Sequence, residues 1–167
     1  DDGNQDNADA CGNGCQWNTQ LPEECAGGYE ASVAVVWGEG SGHNGHLYWV
    51  CHRLRDADDA ANRAVWAERC SQWGGYLVTI HGVDERVYVL AQTADVEGAI
   101  YFNGGEYSAN DEAWVWITGE STNFSPWNRA PHAQSSCGSM RGGGGPGYVS
   151  ASDCAGSLGD ICEFGAY

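Results

Sequence analysis

The stretch that decides the fold is Trp114-Val115-Trp116-Ile117-Thr118-Gly119, which precedes two cysteines, Cys137 and Cys154, and the triplet Ile161-Cys162-Glu163. The tryptophans alternate with β-branched residues, which predicts a short strand. Because an indole ring covers a large apolar area, we expect one or both tryptophans to fill the core rather than to contact a ligand.

The first part of the chain predicts strands and a helix in alternation. Residues 31–37 and 46–51 are rich in β-branched and aromatic residues and flank a Gly/Ser/Asn loop, so we predict two strands there. Asp56, Asp58 and Asp59 are suited to a helix N-terminus, and residues 60–73 then predict a helix that ends at Gly74-Gly75. Its predicted buried side carries Ala64, Val65, Ala67, Glu68 and Cys70.

The remainder predicts one more strand, a second helix and then an irregular half. Residues 77–80 predict a strand, and Asp84-Glu85 opens a helix that extends through Ala91. From Ala99 onward the sequence predicts short strands and long loops, because a run such as Gly142–Gly145 is incompatible with a helix. The order of elements predicts a mixed α+β domain.

Length and cysteine content indicate one disulfide-stabilised domain. A chain of 167 residues, 42% of them hydrophobic, can bury one core but hardly two. Its 8 cysteines lack the short paired spacings of zinc sites, which favours disulfides over a cytosolic metal or thiol protein. We therefore predict a secreted or cell-surface protein.

The charge of the chain argues against two classes of partner. The net charge is -16, the 7 basic residues are all arginine, and no run of 18 apolar residues occurs. Such a surface repels phosphate backbones and anionic lipid, so we expect no nucleic acid partner and no membrane insertion. A genome or habitat that favours acidic surfaces would explain the charge equally well.

Residues 1–28 differ from the rest of the chain because large apolar residues are nearly absent before Trp17. The pattern Asp1-Asp2-Gly3-Asn4, then Asp, Cys11 and Cys15, resembles the end of a cysteine-rich repeat of large secreted bacterial proteins. The resemblance implies a fragment of a multi-module surface protein, with 1–28 as repeat tail or linker and 29–167 as the main domain. A solvated acidic tail is the simpler interpretation, and any signal peptide is expected to be removed or to lie outside this chain.

Residues 45–164 resemble the C-type lectin-like domain. The resemblance rests on Cys70, residues 74–78 (Gly-Gly-Tyr-Leu-Val), residues 114–119, Trp127, Pro131, and the cysteines and triplet quoted above. It implies two helices, small antiparallel sheets and a long loop region. It also implies the disulfides Cys70–Cys162 and Cys137–Cys154, and leaves three pairings open among Cys11, Cys15, Cys25 and Cys51.

The residues that hold the sugar-site calcium in this family are replaced here. The family's carboxylate and amide triplet around a proline is Ala130-Pro131-His132, the acid before the loop cysteine is Ser135 or Ser136, and its Asn-Asp pair corresponds to Ser150 and Ala151. Calcium prefers six to eight oxygen ligands with several carboxylates among them. We therefore expect no calcium at the sugar site.

A second calcium position of the family retains its ligand types. The matching groups are the Thr79 carbonyl, Glu85 and Glu163. The resemblance thus implies one structural calcium. The alternative is that Glu85 stabilises the start of a helix and Glu163 is a surface carboxylate.

The loop region supplies the candidate ligand-binding residues, which lie near the aromatic residues Phe124, Trp127 and Tyr148: Asn128, Arg129, His132, Gln134, Ser135 and Arg141. Amides, a guanidinium and aromatic faces suit a glycan or a protein surface. No nucleophile elbow or couple of buried carboxylates is evident, so we predict a recognition module and not an enzyme. Carbohydrate is the first expected ligand class, and a protein partner is the alternative.

Overall fold

The computed structural model describes residues 11–12, 16–17, 25, 29–31, 35–36, 45–53, 62–93, 99–110, 112–119, 137–142, 149–152, 154 and 159–165. Within these ranges the helices are α1 (Arg63–Gln72) and α2 (Val83–Ala91). The strands are β1 (Cys11–Gly12), β2 (Gln16–Trp17), β3 (Tyr29–Ala31), β4 (Val35–Val36), β5 (Leu47–Arg53), β6 (Tyr76–Leu77), β7 (Ile100–Ser108), β8 (Ala113–Trp116), β9 (Cys137–Arg141), β10 (Val149–Ser152) and β11 (Gly159–Phe164).

One sheet organises the described residues. Its strands follow the order β10-β9-β7-β11-β5-β3, while β4 pairs with β5, β6 with β11 and β8 with β7; β1 and β2 pair separately. All of these pairings are antiparallel except that of β11 with β7. The mixture of two helices with this sheet confirms the predicted α+β class.

Alternation along β5 and β11 divides the core into two clusters. On β5, Trp49 belongs to one cluster and Tyr48 to the other; on β11, Cys162 and Ile161 separate in the same way. Helix α1 contributes Trp66 and Cys70 to the first cluster, whereas α2 contributes Val89 to the second. Since successive strand residues point to opposite faces, each helix covers a different face of the central strands.

Helix α1 begins later than the aspartates predict. Asn62 is its N-cap, and its side-chain oxygen accepts a hydrogen bond from the Val65 amide at 3.2 Å. Asp56, Asp58 and Asp59 lie outside the described residues. The buried stripe also differs from the prediction, because Trp66 is completely buried whereas Ala64 and Glu68 are exposed. Local side-chain capping and the fit of the large indole ring decide the start and the rotation of this helix.

Other predicted elements are confirmed within a few residues. Helix α2 begins one residue before Asp84, and α1 ends before Gly74, whose φ is +84°. Strand β5 begins at Leu47, one residue after the predicted strand at 46–51, and extends two residues beyond it. Trp116 is 4% exposed and lies in the second core cluster, as predicted for at least one tryptophan of that stretch. The predicted strand at 77–80 is shorter, since β6 ends at Leu77.

Within the described part of the chain, three disulfides connect the elements. Cys70–Cys162 joins α1 to β11, and Cys137–Cys154 closes the segment that contains β10, as the resemblance implies. Cys25–Cys51 connects β5 to the segment before β3 and is one of the pairings that the sequence left open. On a chain-entropy basis, a bond that closes a loop of 92 residues contributes about 4.6 kcal/mol.

A buried carboxyl group lies beside the longest-range disulfide. Asp160 on β11 is fully buried, and its Oδ2 is 3.3 Å from Cys162 Sγ and 3.7 Å from Cys70 Sγ. Disulfide sulfurs carry no hydrogen to donate, and among the described residues Oδ1 has no hydrogen-bond partner. Burial therefore raises the pKa of Asp160 well above its usual value, although the charge of Arg69 opposes the shift.

Replacing Gly75 by Ala should destabilise the domain by about 3 kcal/mol. A Cβ at Gly75 would lie 2.5 Å from the Glu163 carbonyl oxygen and 2.6 Å from the Phe164 ring, so β11 would have to shift. Gly74→Ala is the control, because a Cβ there meets nothing within 4 Å and only its positive φ carries a cost, about 1 kcal/mol. Urea unfolding measures both, and an equal loss for the two variants would contradict the close approach of β11.

Asp160→Asn should raise the melting temperature at pH 7.5 by about 5 °C and have little effect near pH 4. Because the pKa of Asp160 is higher in the folded state than in the unfolded state, its carboxyl stabilises the fold fully at a pH below the unfolded-state pKa. This contribution to stability is lost as the pH rises through the folded-state pKa. The neutral amide keeps the shape without the titration. Calorimetry of both proteins from pH 4 to 8 tests this, and a difference that does not vary with pH would argue against a buried neutral carboxyl.

Candidate functional site

The predicted ligand-binding residues fall mostly outside the described part of the chain. Asn128, Arg129, His132, Gln134 and Ser135 lie between residues 120 and 136, which the structure does not describe. Arg141 is described: it is the last residue of β9, it is exposed, and it pairs with Ile100 on β7. It is thus the one predicted ligand-binding residue whose position the structure describes.

One strand of the expected sugar site is described. Ser150 and Ala151, at the family's Asn-Asp positions, lie on β10 opposite Ser139 and Gly138 of β9. This confirms that the two residues belong to a strand that follows the loop. Neither residue carries a carboxylate or a side-chain amide, and the other replaced positions, 130–132 and 135–136, lie outside the described residues.

The residues predicted for the structural calcium come together in the interior. Glu85 lies in the first turn of α2, Thr79 lies in the segment between β6 and α2, and Glu163 lies on β11. Their neighbours His46, Tyr48 and His81 complete what we call the carboxylate network. Glu163 is opposite Tyr48 of β5 and Tyr76 of β6, so strand register brings the carboxylate to this position.

Glu163 is a buried carboxylate with three donors. It is 1% exposed, so the alternative interpretation as a surface carboxylate is wrong. Its Oε2 accepts from the Thr79 amide at 2.8 Å and from the Thr79 hydroxyl at 3.1 Å. Its Oε1 lies 2.5 Å from Nδ1 of His46, and because a carboxylate can only accept, this ring nitrogen donates.

Glu85 is equally enclosed. It is 2% exposed, its Oε1 accepts from the Tyr48 hydroxyl at 2.7 Å, and its Oε2 accepts from the His81 amide at 2.6 Å. Burial raises the pKa of the Glu85 carboxyl, and the negative charge of Glu163 raises it further, while the two hydrogen bonds and the His81 ring oppose the shift. The charge of Glu163 therefore acts on Glu85 through the interior.

His81 links the two halves of the network. Its backbone bonds to Glu85, and its ring Nε2 lies 3.0 Å from the Thr79 hydroxyl, which itself donates to Glu163. A hydroxyl has one hydrogen, so the ring nitrogen donates to Thr79. The His81 ring also lies 6.2 Å from the Trp116 ring, which connects the network to β8.

The network does not fit a calcium ion. All four oxygens of Glu85 and Glu163 already accept hydrogen bonds from protein donors. Calcium requires six to eight oxygen ligands, and a nitrogen donor directed at a ligand oxygen competes with it. Among the described residues, one group of three potential metal ligands has its atoms within 4.8 Å of one another: Cys70, Asp160 and Cys162. Two of these are the sulfurs of a disulfide, so that group offers no thiolate.

Sequence reasoning identified Thr79, Glu85 and Glu163 but missed their partners. His46 is 117 positions from Glu163 along the chain, and Tyr48 is 37 positions from Glu85. The available signal was the spacing at the start of β5: His46 comes directly before the strand and Tyr48 lies two positions later, so an extended chain places both on one side.

No helix within the described ranges is long and apolar enough to cross a membrane.

Most of the chain is similar to a known protein family. The Lectin C-type domain family matches residues 61–164. The chain is 29% identical over 82 residues to a type-2 ice-structuring protein of Brachyopsis segaliensis, and the match covers 47% of this chain and 46% of that protein. The chain thus spans about half the length of this curated relative.

Solved structures share the fold at low sequence identity. The carbohydrate-recognition domain of cow CD23, solved in the presence of a GlcNAc2Man3 oligosaccharide, aligns with a TM-score of 0.61 and 16% identity over 89% of this chain and 98% of its own. A calcium-independent type II antifreeze protein aligns with a TM-score of 0.58 and 18% identity over 89% of this chain and 99% of its own. Domains with this fold are generally non-enzymatic binding modules, often with calcium and in some cases without it. The match over 61–164, more than half of the chain, together with the two helices and the paired cysteines, establishes that this protein belongs to the Lectin C-type domain family.

Proposed function

We propose that this chain is a non-enzymatic extracellular recognition domain that binds carbohydrate without calcium at the sugar site. The observation that carries the proposal is the chemistry of the positions where the family places its calcium ligands. Ser150 and Ala151 on β10, and Ala130 and His132 in the sequence before Cys137, offer no carboxylate to a metal ion. A sugar would have to be held by direct hydrogen bonds and ring contacts.

The remaining loop chemistry supports such direct contacts. Asn128 and Gln134 offer amides, and Arg129 and Arg141 offer planar guanidinium groups that donate to hydroxyl or carboxylate oxygens. Arg141 is exposed at the end of β9, adjacent to the loop region. Three disulfides within the domain suit an oxidising location, which supports secretion or display at the cell surface.

A protein-binding role is the second candidate, and a separate surface favours it. The exposed large apolar side chains among the described residues are Val83 and Val87 on α2, and Val115 and Ile117 at β8. Val83 and Val87 are four positions apart and share one face of the helix. Exposed apolar groups of this kind are common at protein interfaces. The fold alone does not determine the ligand class, since the proteins that are similar to this chain include a carbohydrate-recognition domain and an ice-structuring protein.

A glycan array probed with the protein in calcium and again in EDTA should show the same bound glycans in both buffers. The variant Arg129→Ala/His132→Ala should bind at least about tenfold more weakly with an unchanged melting temperature, because each lost hydrogen bond contributes about 1 kcal/mol.

The matched control is Val83→Ser/Val87→Ser, which alters only the exposed face of α2 and should leave glycan binding intact. Glycan binding that EDTA abolishes would contradict the metal-free mode. The protein-binding role is supported instead if no glycan binds in either buffer and the native domain captures a protein partner. In that case the Val83→Ser/Val87→Ser variant should fail to capture the same partner.

A further inference from the structure

We infer that the carboxylate network of Glu85 and Glu163 is completed by the protein's own donors in place of a metal ion, so that the folded domain needs no structural calcium. This inference concerns the interior of the fold and is independent of the sugar site, whose metal-free mode rests on other residues.

Two buried carboxylates require compensation. Glu85 and Glu163 are 2% and 1% exposed, and burial together with the charge of Glu163 raises the pKa of Glu85. A buried carboxylate is strongly destabilising unless it is paired or hydrogen-bonded. A divalent cation is one solution to this problem, and a full set of hydrogen-bond donors is another.

Every oxygen of the two carboxylates accepts at least one hydrogen bond from the protein. Five donors converge on the four oxygens: the amides of Thr79 and His81, the hydroxyls of Thr79 and Tyr48, and the imidazole of His46. The distances lie between 2.5 and 3.1 Å, so each of the four oxygens has a close partner. An ion between the carboxylates would have to displace several of these donors and leave them unpaired in the interior.

His46 bonds to one of the Glu163 oxygens that an ion would need, and the backbone leaves room for its ring. Its Nδ1 lies 2.5 Å from Oε1 of Glu163. The His46 ring packs directly on Gly165, where an added Cβ would overlap three ring atoms. Only glycine at this position leaves room for the imidazole. The close approach indicates that the imidazole is a built part of the site, which blocks bidentate coordination by Glu163.

The first test compares the melting temperature of the native chain in EDTA and in 10 mM calcium, with magnesium at equal ionic strength as the control for general screening of the acidic surface. We expect the calcium and magnesium values to agree within about 1 °C. A structural site occupied at a hundred times its Kd would raise the melting temperature by about 5 °C or more in calcium alone. The inference would be wrong if calcium alone raised the melting temperature in this way and Glu85→Gln abolished that rise.

Glu85→Gln is suited to this test because the amide can keep both contacts. The amide oxygen can accept from the His81 N–H, and the amide nitrogen can donate to the Tyr48 hydroxyl oxygen. The variant also removes one of two mutually repelling buried charges. We therefore expect its melting temperature to equal or exceed the native value in both buffers, whereas loss of a calcium ligand would lower it in calcium only.

A double-mutant cycle tests the role of His46 separately. Gly165→Ala should expel the imidazole from its position, so that Gly165→Ala and His46→Ala lower the melting temperature by similar amounts and their combination lowers it little further. Fully additive losses would show that Gly165 does not position His46. Because melting is measured without a glycan, these results stand whether or not the domain binds carbohydrate.

Discussion

The alternation of side chains along β11 is the constraint on which the rest of the structure depends. Asp160, Cys162 and Phe164 point to the face that α1 covers, while Ile161 and Glu163 point to the face that α2 covers. One six-residue strand thus carries the long-range disulfide, the buried carboxyl beside it and the carboxylate that gathers the network. A shift of register by one residue would reverse all of these positions at once.

The two faces of β11 bury a carboxyl group in different surroundings. On the α1 face, the disulfide and the large ring of Trp66 fill the interior, and Oδ1 of Asp160 has no hydrogen-bond partner among the described residues. On the α2 face, a charged group is accommodated because backbone amides, hydroxyls and an imidazole converge on it. Carboxyl groups three positions apart along one strand therefore have different surroundings: Asp160 has one oxygen without a described partner, and both oxygens of Glu163 are hydrogen-bonded.

The local part of this arrangement was predictable from the sequence, and the non-local part was not. Asp84 and Glu85 mark the start of α2, Gly74 marks the end of α1, and the spacing of the cysteines in the resemblance gives two disulfides correctly. The start of α1 was missed because Asn62 caps it, although three aspartates upstream suit the same role. The burial of Glu163 depends on its register opposite Tyr48 and on a histidine 117 positions away, and neither follows from local pattern. The predicted loop residues, apart from Arg141, lie in the part of the chain that the structure does not describe.

The central position of β11 has a consequence for how the domain is made. β11 pairs with β5, β6 and β7, and without it the sheet separates into one group of strands around β7 and β9 and another around β5. It is also the last of the described elements to be synthesised, and its cysteine must find a partner 92 residues earlier. The strands that are made earlier therefore cannot form one sheet until residues 159–164 have been synthesised. Because many of the resulting contacts join residues far apart in the sequence, the contact order is high and folding is slow. A domain whose two groups of strands are joined by its last described strand stays open until that strand has been made, and formation of the Cys70–Cys162 bond then closes it.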